Sequence, residues 1–152
     1  MELATYLPYL VNRLGQRFVA EIAPALAGSG IDVQTWRVLI ALYQQGDRPV
    51  GALADLTSIN ISTLSRLIGR MEAKALVERR RGSDDARSVI VGLTPEGRAA
   101  TERILPRAAA LESEATADFT EAELATLRQL LVKLYAGLDG EGAARQEDRL
   151  AG

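Results

Sequence analysis

A mainly α-helical fold carrying a small antiparallel β-hairpin is what this sequence predicts. Three observations predict it. Residues 61–75 place apolar side chains at three- and four-residue spacing, the mark of an amphipathic helix. Two short β-prone runs, 77–81 and 88–93, follow at once and are joined by the turn residues Gly82-Ser83-Asp84-Asp85. Leucines recur at heptad-like intervals at both ends of the chain.

Taken in order, residues 3–27 read as a first helix, with Leu3, Leu7, Leu10 and Leu14 in one stripe and Tyr6, Leu10, Arg13 and Arg17 in a second beside it. Pro8 is tolerated if that helix opens near Thr5 and kinks it otherwise. Pro24 falls near its end, and Gly28-Ser29-Gly30 breaks it. Asp32 caps a second helix that turns Trp36, Leu39, Ile40 and Tyr43 toward a core, and Gly46-Asp47 stops it. Residues 48–50 are expected to join the hairpin as a third strand. Residues 50–57 form the next helix, with Leu53 and Leu56 inward, and Ser58-Ile59-Asn60 is a turn.

Asn60 caps the helix at 61–75, because its side-chain oxygen accepts a free N–H of the first turn. Leu64, Leu67, Ile68, Met71 and Ala75 form the buried stripe. Ser62, Thr63, Ser65, Arg66, Gly69 and Arg70 lie off it. In the hairpin, Val89, Val91 and Leu93 alternate onto one face. Thr94-Pro95-Glu96 opens a helix to about residue 117, which Pro106 is expected to kink. Thr120 and Glu123 make a capping box for the last helix, with Leu124, Leu127, Leu131, Leu134 and Leu138 in register. The tail from Gly140 is expected to fray.

Composition bounds the function. The chain has 152 residues, 47% apolar and 25% charged, which suits one folded domain with helical extensions. It holds no Cys and no His, so disulfides, thiolate catalysis and imidazole acid–base chemistry are excluded. No glycine-rich phosphate loop, G-x-S-x-G or H-E-x-x-H is present. We expect no enzyme activity, no cofactor, no metal site, no membrane span and a cytoplasmic location. Net charge is −2, yet between Arg66 and Arg87 seven basic residues face four acidic ones, giving +3 there and leaving −5 for the remainder. Such asymmetry is the footprint of a local phosphate-binding surface.

Several stretches carry a resemblance. Leu53-Ala54-Asp55-Leu56-Thr57 followed by Ser62-Thr63-Leu64-Ser65-Arg66-Leu67 resembles the helix-turn-helix of the MarR family, the multiple-antibiotic-resistance regulators. So do Ala75-Leu76-Val77-Glu78-Arg79, Asp85-Ala86-Arg87 and Leu93-Thr94-Pro95-Glu96-Gly97, in the family's order and spacing. The resemblance implies a winged helix-turn-helix, with a DNA-binding lobe at about 31–98 and dimerisation helices at about 1–28 and 99–140. It also implies a homodimer whose two recognition helices enter successive major grooves of double-stranded DNA. The expected target is a pseudo-palindrome of about 16–20 base pairs.

The candidate base-reading residues are Ser62, Thr63, Ser65, Arg66 and Arg70. Arginine forks onto a guanine edge, and short hydroxyls allow close approach. The same pattern fits a solvated polar face. Arg79, Arg80 and Arg81 are candidates for phosphates. The resemblance implies that Arg87 enters the minor groove while Asp85 orients it. Ala86 stands where many relatives carry a second arginine, so that arginine's contacts are absent. The resemblance further implies a small aromatic or anionic effector, for which Tyr6, Arg13, Arg17 and Trp36 are candidates. Arg17 with Glu21 also fits an ordinary i,i+4 pair, and Trp36 an ordinary core residue. The mechanism expected is repression by promoter occupancy, with release by the effector. The alternative is a winged-helix dimer that binds a protein partner and not DNA.

Overall fold

The computed structural model describes residues 2–82 and 89–150, the last twelve by backbone alone. They form two compact units, Met1–Leu111 and Glu112–Gly152.

The first unit opens with a single 3-10 turn, Leu3–Thr5, and then helix α1, Leu7–Gly28. The helix starts four residues later than expected from leucine spacing. Pro8 therefore falls in its first turn, where no N–H is required. Gly30 closes α1 in the left-handed region (φ 66°), and the Ile31 N–H reaches back to the Leu26 carbonyl at 3.0 Å. Helix α2 spans Val33–Gln45, and the Asp32 carboxylate accepts from the Thr35 N–H at 2.7 Å, as a cap must. Its buried face is Thr35, Val38, Leu39 and Leu42. The expected stripe was rotated: Ile40 and Tyr43 are only half-buried, and Trp36 packs against the edge of the core.

Strand β1, Arg48–Pro49, leads directly into helix α3, Val50–Thr57. Leu53 is fully buried there, but Leu56 is 51% exposed, contrary to the expectation that it points inward. At about 3.6 residues per turn Leu56 and Thr57 lie on either side of Leu53, and α3 is rotated so that the Thr57 side faces the core. Thr57 is buried in place of Leu56, its hydroxyl donating to the Leu53 carbonyl at 2.7 Å. Ser58 adopts the left-handed conformation (φ 52°) and makes the turn. Helix α4, Ile61–Ala73, then buries Leu64, Leu67, Ile68 and Met71, as the spacing requires. Ala75 was expected in that stripe. It lies beyond the helix, exposed, with φ 55°, because the backbone there reverses into the hairpin.

Strands β2, Val77–Arg81, and β3, Val89–Leu93, pair antiparallel, with Val77 opposite Leu93 and Arg81 opposite Val89. β1 joins the other side of β3, giving the order β1-β3-β2, with Arg48 opposite Val91. The expected third strand is therefore present. The inner face of this sheet carries Val77 and Val91, both buried.

Helix α5, Pro95–Ala115, is tied to the α4–β2 corner at its first residues. The Thr94 N–H donates to the Leu76 carbonyl at 3.2 Å, its hydroxyl donates to the Ala75 carbonyl, and the same oxygen accepts from the Gly97 N–H. Gly97 is where α5 comes closest, since a Cβ would meet the Leu76 carbonyl. Ala100, Thr101 and Ile104 complete the core. Each fully buried leucine or isoleucine contributes about 1.5–3 kcal/mol relative to exposure. The core formed by Leu26, Leu39, Leu53, Leu64, Leu67, Ile68 and Ile104 thus fixes α4 against α2, α3 and α5.

In the second unit, helix α6 spans Glu121–Leu150. Its capping box forms as expected: the Thr120 N–H donates to Glu123 at 2.8 Å and the Glu123 N–H to the Thr120 hydroxyl at 3.3 Å. The backbone stays helical past Gly140, where fraying was expected. Ala143, Ala144, Arg145, Gln146 and Glu147 are all strong helix formers.

Candidate nucleic-acid interface

The core stripe of α4 fixes what its opposite face presents. With Leu64, Leu67, Ile68 and Met71 inward, Ser62, Thr63, Ser65, Arg66 and Arg70 are all exposed on the other side. The structure thus brings the five expected residues together on one helical surface. Asn60 holds the start of that surface, accepting from the Ser62 N–H at 3.0 Å and the Ser62 hydroxyl at 2.7 Å. The Ser62 hydroxyl is therefore engaged as a donor and offers a ligand its lone pairs. Arg66 has no hydrogen-bond or ion-pair partner among the described residues, so its five donors face solvent.

Arg70 lies near the carboxylate of Asp32. Burial pushes the Asp32 carboxyl upward, but the Thr35 N–H and hydroxyl and the charges of Arg70 and Lys74 outweigh it and hold the group below its usual value.

The three arginines of β2 do not form one basic row. Alternate residues of a strand face opposite sides of the sheet. Arg79 turns toward α4: its guanidinium lies 3.1 Å from Glu72 and 3.0 Å from the Ser65 carbonyl, and its N–H donates to Glu72 at 3.2 Å. Arg80 turns to the other face and pairs with Asp47, and at 3.4 Å with Glu78. Arg81 is exposed at the end of the strand. Asp85 and Arg87, expected at the wing tip, lie outside the described residues.

Asp47, Glu72 and Gly92 were not expected to bear on this surface. Asp47 sits just before β1, and extending the β1–β3 register by one residue sets it opposite Gly92. The isolated glycine within a strand was the available signal, since such a residue often marks a close approach.

The expected effector residues are not gathered into one site. Arg13 and Arg17 line a shallow concavity along α1 with Leu10, Leu14, Gln16 and Ala20. Neither Tyr6 nor Trp36 lines it. Arg13 stands over the Tyr9 ring at 5.6 Å, and Arg17 pairs with Glu21 at 2.8 Å, the i,i+4 contact its spacing allows. Among the described residues no helix is long and apolar enough to cross a membrane.

A helix-turn-helix whose second helix shows arginines and short hydroxyls to solvent, followed by a three-stranded wing, defines a DNA-binding class of protein. A family model described as MarR family matches residues 29–88. The chain is 31% identical over 127 residues to the multiple antibiotic resistance protein MarR of Salmonella typhimurium, covering 83% of this chain and 86% of that one. It belongs to the MarR family, whose members are transcriptional regulators and not enzymes. Its structure is similar to that of a mutant MarR from E. coli complexed with operator DNA (TM-score 0.74, 27% identity, 86% of this chain and 94% of that one). It is also similar to NadR in complex with 4-hydroxyphenylacetate (TM-score 0.78, 25% identity, 82% and 88%).

Proposed function

We propose that this chain is a homodimeric, sequence-specific DNA-binding repressor. The observation that carries the reading is the outer face of α4, where Arg66, without a partner among the described residues, stands exposed with Thr63, Ser65 and Arg70. Residues 31–98 serve as the DNA-binding lobe. Arg66 and Arg70 read base edges, the hydroxyls of Ser62, Thr63 and Ser65 approach closely, and Arg81 and Arg87 engage the backbone and minor groove with Asp85 as the orienting carboxylate. Residues 1–28 and 99–140 form the dimer. Two copies place their α4 helices one helical turn apart, on a pseudo-palindrome of about 16–20 base pairs. Occupying a promoter in this way excludes transcription.

A small aromatic anion serves as effector, by analogy with the 4-hydroxyphenylacetate bound to NadR. Arg13 and Arg17, which line one concavity along α1, supply the charge for its carboxylate. Binding releases DNA to the extent that the anion prefers a lobe spacing unsuited to both grooves.

The test is in-vitro selection of duplexes from a random pool, followed by titration of the selected site with wild type and Arg66→Ala. A pseudo-palindrome should emerge, and Arg66→Ala should lose about 1–3 kcal/mol on it. No enrichment, with equally weak binding of every sequence, would replace this reading with a protein-binding role for the α4 face.

A further inference from the structure

We propose that Asp47 is a specificity-determining residue, one that restrains Arg80 from phosphate and so holds down binding to non-target DNA. The inference rests on the DNA-binding reading above. Four observations carry it. First, the Arg80 guanidinium pairs with two carboxylates, Asp47 and Glu78. Second, it reaches Asp47 across the central strand at the one position without a side chain. A Cβ on Gly92 would lie 2.8 Å from the Asp47 carboxyl carbon and 2.9 Å from Arg80 Nη2. Third, the register puts Glu78 opposite Gly92 and Arg80 opposite Ile90, so Asp47, Gly92, Glu78 and Arg80 share one face. Fourth, Arg79 is held on the opposite face by Glu72. Arg79 and Arg80 are therefore held by three carboxylates, Asp47, Glu72 and Glu78.

The consequence is electrostatic. Binding to arbitrary DNA comes almost wholly from cations that neutralise phosphates, and each such cation steepens the salt dependence by about 0.9 in log–log slope. An arginine held between carboxylates adds nothing to that count. Base contacts fix the register on the target and with it which cations meet phosphate, whereas on arbitrary DNA the protein shifts to use every free cation. Masking Arg80 therefore lowers non-target affinity more than target affinity and raises their ratio. The pair is exposed on both sides, 54% for Arg80 and 44% for Asp47, so it adds little to stability. Its effect lies in the charge offered to DNA.

The experiment measures affinity for the selected site and for a random duplex across a salt series, with wild type, Asp47→Asn, Arg80→Gln and the double variant. Asp47→Asn leaves only the longer Glu78 contact on Arg80, so it should bind random DNA several-fold tighter, with a slope steeper by up to about 0.9, and its target to non-target ratio should fall. Arg80→Gln alone should leave the slope unchanged, and the double variant should match Arg80→Gln. A shallower slope in Arg80→Gln overturns the proposal without needing the Asp47 variant, because Arg80 would then already touch phosphate in the wild type. An unchanged or weaker grip of Asp47→Asn on random DNA also overturns it, leaving Asp47 a brace. Arg66→Ala is the internal control: if it loses target affinity while Asp47→Asn changes nothing, only this inference fails. If no DNA binds at any salt, both readings fail.

Discussion

The Arg80 guanidinium reaches the Asp47 carboxylate across strand β3, over Gly92, and the two are 33 residues apart in the chain. Any side chain at Gly92 intrudes on that path. The groups it meets are the ends of flexible side chains, which swing aside with little strain. Gly92→Ala should therefore separate the pair while costing less than about 1 kcal/mol of stability, the range of an exposed ion pair. Urea denaturation checks the cost. The salt slope on random DNA checks the release, and should match that of Asp47→Asn.

Gly97 presents the opposite case. A Cβ there meets the backbone carbonyl of Leu76, with the carbonyl carbon at 2.8 Å. That carbonyl already accepts from the Thr94 N–H, and the Gly97 N–H is committed to the Thr94 hydroxyl. Neither side can yield without opening the corner between α4, β2 and α5. Gly97→Ala should cost about 3 kcal/mol, at the upper end of overpacking. Equal denaturation midpoints for the two proteins would show that the corner is not rigid.

Ala75 ends α4 in a conformation that suits glycine. Its φ is 55°, its N–H donates to the Glu72 carbonyl at 2.8 Å, and the next N–H, of Leu76, reaches the Met71 carbonyl at 2.9 Å. This is the Schellman closure, normally built on glycine, and a Cβ in that region is disfavoured by about 1–2 kcal/mol. Glycine also gains entropy in the unfolded chain, which offsets part of the relief. Ala75→Gly should stabilise by about 0.5–1 kcal/mol. A loss of stability on thermal melting would mean that the left-handed backbone is not strained.

The helices were legible because each carries a local signature: Asn60 and Asp32 cap, Thr120 and Glu123 box, and Leu64 to Met71 repeat at helical spacing. The outer face of α4 followed from that repeat. The limits of legibility were equally physical. Leu56 and Ala75 matched the period of an inward stripe, but the rotation of α3 toward Thr57 and a left-handed residue took them off it. The stripe of Trp36, Leu39, Ile40 and Tyr43 is rotated from the buried one of Thr35, Val38, Leu39 and Leu42 because spacing alone does not fix the rotation of a helix whose faces are both apolar. The pairs Arg79–Glu72 and Arg80–Asp47 depend on strand register and on which face each arginine takes. Counting charges along the sequence placed Asp47 outside the basic segment, although it lies within it in space.

The Asp32 cap gives a pH dependence with a definite sign. Its carboxyl is held below its usual value in the folded chain, so the folded state favours the charged form. The stabilisation is present above the ordinary aspartate value of about 3.9 and is lost as pH falls through the lowered one. At neutral pH, Asp32→Ala should cost about 1 kcal/mol, as for other helix caps. The difference from wild type should shrink below about pH 4. Asp32→Asn keeps an acceptor for the Thr35 N–H but not the charge, so it should be the milder change at pH 7 and show less variation with acid. A gap between wild type and Asp32→Ala that holds constant down to pH 3 would contradict the charged cap.

The apolar faces left open at both ends of the chain bear on assembly. Leu3, Leu7, Leu10, Val11 and Leu14 are between 41% and 57% exposed, and Leu130, Leu131, Val132, Tyr135 and Leu138 between 42% and 69%. Scattered exposed leucines are ordinary, but runs of five at helical spacing are the mark of a surface that another protein covers. A second copy of this chain is the proposed cover. Because the residues are already exposed, replacing one with a charge removes little from the fold of the single chain and places an unpaired charge in the interface. Leu14→Glu and Leu131→Glu should each shift sedimentation from dimer toward monomer with helix content retained. Both should weaken binding to a two-half-site operator far more than to a single half-site, since pairing the lobes is what lets two recognition helices bind as one. If both variants sediment like the wild type, these faces do not form the dimer.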